Sequence, residues 1–176
     1  MGNGKCTTIT PALDIVTAGL ATTTAGLNAA VTALLSNSMV SKPGLAIGST
    51  PANVANLAVT FKLAGVQYSK VAVAAGTAPG NDVVPVDTYG AVALDIDAAG
   101  TITVIEAADN VTGYASAALA LADIAEPLTA KARLGTVSVI RATAGAFTFG
   151  TTSLADGDTT VVYTDATTTI EDLATV

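Results

Sequence analysis

The sequence predicts a mainly β protein: an antiparallel β-sandwich or barrel-like domain preceded by an N-terminal coiled-coil-like helix. Leucines recur every seven residues near the N-terminus. From residue 57 onward, alternation of apolar and polar residues replaces that pattern. Turn residues then punctuate the chain about every eight to twelve residues, the spacing of short antiparallel strands. The expected organisation is a flexible N-terminus over 1–10, a heptad helix over 11–40 and an antiparallel β domain over 41–176.

The helix rests on Leu13, Leu20, Leu27 and Leu34, with Val16, Thr23 and Ala30 three residues after the first three. The string TAGL occurs at Thr17–Leu20 and again at Thr24–Leu27. A strict seven-residue repeat under-winds a helix and favours a left-handed coiled coil, so these seven side chains are the expected oligomer interface. Gly19 and Gly26 each cost about 1 kcal/mol of helix propensity, which partners must offset. The same pattern also fits one amphipathic helix packed on its own domain, and the lack of flanking charge pairs suits that alternative.

Lys42-Pro43-Gly44 punctuates a linker after the helix. Leu57, Val59, Phe61 and Leu63 then alternate with Ala58, Thr60 and Lys62, predicting a half-buried strand. Gly65 turns the chain into a second strand over Val66–Val73, and Gly76–Val86 reads as a loop. Ala91–Asp97 and Thr101–Ala107, joined by Ala98-Ala99-Gly100, give the clearest hairpin. Over Ser116–Arg133 the alanine and leucine content favours helix, whereas Pro127 interrupts it. Leu134–Ala142, Ala146–Gly150 and Thr159–Thr164 complete the strands.

Composition narrows the function classes. Of 176 residues, 12% are charged and 51% hydrophobic, whereas charged residues make up about a quarter of an ordinary soluble domain. A surface so poor in charge is stable against water mainly when other subunits cover it. A net charge of -7 argues against a basic nucleic-acid or lipid footprint. With no His, no Trp and one Cys, there is no Ser–His or Cys–His pair, no His-containing zinc site and no intrachain disulfide. The start MGNGKC has no secretory h-region, and its Cys6 misses the myristoylation pattern. Residues 15–41 are uncharged, but threonines and asparagines interrupt them too often for a membrane span. A non-enzymatic protein without cofactors is expected.

Acidic turns imitate ligand sites without completing them. Asp95-Ile96-Asp97-Ala98-Ala99-Gly100 opens like a calcium loop but lacks the later ligands, and Asp156-Gly157-Asp158 is good turn chemistry. No metal site is expected from either. Paired carboxylates for glycoside hydrolysis would lack the aromatics that stack sugars. Asn110-Val111-Thr112 fits a glycosylation acceptor without any sign of export. Lys131, Arg133 and Arg141 read as a small basic cluster suited to an acidic patch on a neighbouring subunit.

Four segments carry a family resemblance: NLAVTFKLAGVQYSKVA (Asn56–Ala72), ALDIDAAGTITV (Ala93–Val104), ARLGTVSVIRATAGAF (Ala132–Phe147) and TTSLADGDTTVVYTDAT (Thr151–Thr167). In this order they resemble bacteriophage head-fibre, capsid-decoration and minor virion structural proteins. The resemblance covers residues 56–167 and rests on strand-and-turn order, not on a chemical fingerprint; the N-terminal heptad has no counterpart in it. It implies a homotrimer on the capsid exterior, partnered by its own copies and by the major capsid protein or other virion proteins, with no nucleic acid or membrane. A tail-fibre or receptor-binding component and a bacterial surface adhesin module are the alternative readings.

Overall fold

The computed structural model describes residues 37–128, 130–142 and 145–167, together with Thr23, Thr24, Gly26 and Leu27. The chain divides into two compact units, Met1–Ser36 and Asn37–Val176. In the first, the four described residues are helical. The second is mainly β, and every strand pair in it is antiparallel.

The strands are β1 (Ser38–Met39), β2 (Ala46–Ile47), β3 (Val54–Asn56), β4 (Val59–Leu63), β5 (Val66–Lys70), β6 (Val73–Thr77), β7 (Val83–Val84), β8 (Tyr89–Asp97), β9 (Ile102–Glu106), β10 (Lys131–Arg141), β11 (Phe147–Thr148) and β12 (Thr159–Asp165). They form a four-stranded sheet ordered β12-β10-β8-β9 and smaller sheets β1-β4-β5, β2-β3-β6 and β11-β7.

Local chemistry makes the hairpins. Ala64 and Gly65 both take positive φ, 49° and 82°, which is the backbone of a two-residue turn matched to strand twist. That turn pairs Phe61 with Tyr68, whose rings stack at 5.7 Å. Between β8 and β9, the Asp97 carboxylate accepts from the backbone N–H groups of Ala99 and Thr101, each at 2.9 Å, while Gly100 supplies positive φ.

The core follows the alternation. Val59, Phe61 and Leu63 of β4 are buried with Val92, Leu94 and Ile96 of β8 and with Val137 and Val139 of β10. The opposite face of β8 presents Ala91 and Ala93 to a second cluster with Ala120 and Ile124. The helix α1 (Ala117–Ala122) lies over this face; Ser116 caps it by accepting from the Leu119 N–H. Small alanines let the helix approach closely. Covered on both faces, residues 90–96 are all buried.

Several expectations need correction. Ser38 and Met39, assigned to the helix by sequence, form β1 against β4, so the β unit begins at Asn37 and not at residue 41. Leu57 is 60% exposed: β4 starts two residues later, and Leu57 lies over Gly44 instead. Val66–Val73 holds two strands, because Val71 and Ala72 separate β5 from the start of β6, which pairs with β3. β7 lies inside the expected Gly76–Val86 loop. In the ambiguous stretch Ser116–Arg133, a six-residue helix precedes β10.

Candidate functional site

The expected oligomer interface falls in the first unit. Leu13, Val16, Leu20, Ala30 and Leu34 lie outside the described residues. Thr23 and Leu27 are helical and exposed, and Leu27 exposes 63% of its surface.

In the β unit the ionisable groups singled out by sequence hold the fold. The buried Asp95 carboxylate, on the alanine face of β8, meets Arg133 of β10, with its Oδ1 2.9 Å from Nε. Arg133 also donates from Nη2 to the Ala125 carbonyl at 2.6 Å. A bulge at Leu134 shifts the β10 register just beyond this pair. At the far end of β10, Arg141 pairs with Asp156 at 3.2 Å, and Asp156 Oδ1 also accepts from the Asp158 N–H. Lys131 donates to Thr103 Oγ1 at 2.6 Å. The expected basic cluster is therefore not one surface: Arg133 and Arg141 stand eight residues apart on one strand, each committed to its own carboxylate. Among the described residues, no three metal-ligating side chains come together.

Asn110, whose acceptor-like motif the sequence gives no reason to use, is fully buried. Its Oδ1 accepts from the Ala91 N–H at 2.9 Å and its Nδ2 donates to the Ala91 carbonyl at 3.0 Å. The side chain extends the sheet past the end of β9. In the folded chain its amide is already engaged. Asn110→Ala should cost about 1–3 kcal/mol, the penalty for an orphaned buried N–H. Urea unfolding measures this, and an unchanged midpoint would refute the assignment.

A shallow groove of about 340 Å³ is lined by Asp109, Tyr114, Leu119, Ala122 and Asp123. The Tyr114 hydroxyl donates to the Asp123 carboxylate and accepts from the Asp109 N–H at 2.8 Å. Desolvation and the Asp123 hydrogen bond hold that hydroxyl above its ordinary pKa. The Tyr114 hydroxyl and the Asp123 carboxylate are thus engaged with each other.

Sequence reasoning missed the Asp95–Arg133 pair and the role of Asn110. One signal was available for the pair: Asp95 shares a face with Ala91 and Ala93, and a carboxylate on a small-residue face needs a partner. Among the described residues, no helix is long and apolar enough to cross a membrane. No family model, curated protein or solved structure matches the chain.

Proposed function

We propose that this protein is a non-enzymatic bacteriophage virion subunit, a head-fibre or capsid-decoration protein held on the capsid exterior. The observation that carries the assembly reading is exposed apolar surface on a charge-poor chain: Val71 is 79% exposed, Leu57 60%, Val66 53% and Val162 52%. Such surface favours burial against other subunits. The resemblance over residues 56–167 supplies the virion context. In this reading the stacked sheets are a sandwich-type domain, and the N-terminal heptad is a coiled-coil seam joining three copies. The major capsid protein or another virion protein is the partner. Net charge of -7, with Arg133 and Arg141 held by carboxylates, suits a position away from packaged genome.

Antibody labelling of intact particles tests this. Labelling before the particles are opened is expected; labelling restricted to opened particles would refute the exterior position. In parallel, Leu20→Asp/Leu27→Asp places charges in the seam while leaving the strands unaltered. The variant is expected to have a lower solution mass and to be missing from particles, with β-type circular dichroism retained. A variant that stays fully trimeric would remove the heptad from the assembly.

A further inference from the structure

We infer that β12 is a pairing edge for a second copy of this chain, joined antiparallel across a two-fold axis centred on Val162. β12 closes one side of the four-stranded sheet, with β10 as its neighbour there. The Ala166 N–H donates to the Leu134 carbonyl at 2.9 Å, and the Ala142 N–H to the Asp158 carbonyl at 3.1 Å, one at each end of the β10–β12 ladder. Antiparallel alternation between those two bonds turns the backbone groups of Thr160, Val162 and Thr164 toward β10. It turns those of Val161 and Tyr163 outward, along the edge that no strand of the described residues pairs.

Natural edges are usually protected by lysine, proline, a bulge or shortness. β12 is long and unbulged: it runs seven residues in unbroken register, and its one carboxylate, Asp165 at the C-terminal end, pairs with Lys42 at 3.6 Å and accepts from the Leu45 N–H at 2.8 Å, which leaves Thr159–Thr164 with no ionisable group other than Tyr163. The edges at β9 and β5 are guarded. Glu106 on β9 folds back to accept from the Asn81 and Asp82 N–H groups, and Lys131 reaches Thr103 on the same strand. β5 ends in Lys70.

The side chains single out a second copy as the occupant. A two-fold through the strand midpoint sets Val162 against Val162, Thr160 against Thr164 and Val161 against Tyr163. These are favourable cross-strand pairs. The Asp165 carboxylates fall at opposite ends, so two chains of net charge -7 meet without like charges facing each other. About four backbone hydrogen bonds form between Val161 and Tyr163 of the two strands. Val162 faces outward and is half exposed, so the symmetric contact also covers it. This contact stands apart from the heptad seam and does not depend on the virion reading.

Disulfide trapping in the full-length chain, with Cys6→Ser to remove the native thiol, tests the register. On the two-fold, Val162 occupies a non-hydrogen-bonded pair with Cα atoms about 4.5 Å apart, within disulfide range. Val162→Cys is expected to cross-link on the order of a hundredfold faster than Thr160→Cys, whose two copies stand far apart. A mixture of Thr160→Cys and Thr164→Cys chains should yield the mixed disulfide. Val162→Lys, at an exposed position, should fold normally and lower the solution mass. Equal rates for Val162→Cys and Thr160→Cys, absence of a Val162→Cys cross-link, or an unchanged mass for Val162→Lys would overturn the inference.

Discussion

Arg133→Met is expected to destabilise the β unit by about 3–5 kcal/mol at neutral pH, the range for breaking one side of a buried ion pair. Methionine keeps most of the apolar stem, so the loss reports the guanidinium and not the packing. Arg133 Nε lies 2.9 Å from Asp95 Oδ1, and the Asp95 side chain is fully buried. Without the cation its charge has no compensation, and the Ala125 carbonyl loses its 2.6 Å donor. Asp95→Leu in the Arg133→Met background should recover most of the stability, because an apolar pair removes the stranded charge instead of leaving it. Urea unfolding of the two single variants and the double variant measures the coupling. A single-variant cost below about 1 kcal/mol would place the pair with ordinary surface ion pairs and refute its structural role.

That pair also marks how far sequence reasoning reached. Hairpin geometry is local chemistry: Ala64-Gly65 and Asp97 to Gly100 fix their turns within a few residues, and both hairpins were legible. The pairing of β10 between β8 and β12 joins segments distant in sequence, and strand patterns do not encode which partner a strand chooses. β1, β2 and β7 have two residues each, too short for any periodicity, and tertiary pairing alone makes them strands. The basic cluster failed for a geometric reason. Eight residues of strand put Arg133 and Arg141 about 26 Å apart, beyond any shared patch. The structural role of Asn110 was not legible because a three-residue motif says nothing of Ala91, nineteen positions away, to which its side chain is bonded. Of the candidate interface, the described residues include Thr23 and Leu27, and both have the expected helical backbone.

The strand at Leu57–Leu63 permits a sharper comparison, because one alternating pattern contains both a core anchor and a surface residue. Phe61→Ala should cost about 3–5 kcal/mol, the transfer and cavity penalty for a deleted buried ring. Phe61 is fully buried, stacks on Tyr68 at 5.7 Å and belongs to the cluster that includes Leu94 and Val137. Its neighbours sit in a close-packed interior that relaxes little around a void. Leu57→Ala, four residues earlier in the same alternation, should stay within about 0.5 kcal/mol, because a side chain 60% exposed loses little contact on truncation. The chain leaves the strand at Leu57, where the backbone N–H donates to the Pro43 carbonyl at 2.8 Å instead of joining the ladder. Thermal or urea unfolding of both variants reads the difference directly. Comparable losses would mean that Leu57 packs inward as the alternation alone predicts; a small loss for Phe61→Ala would mean that the cluster around β4 is not the core of this unit.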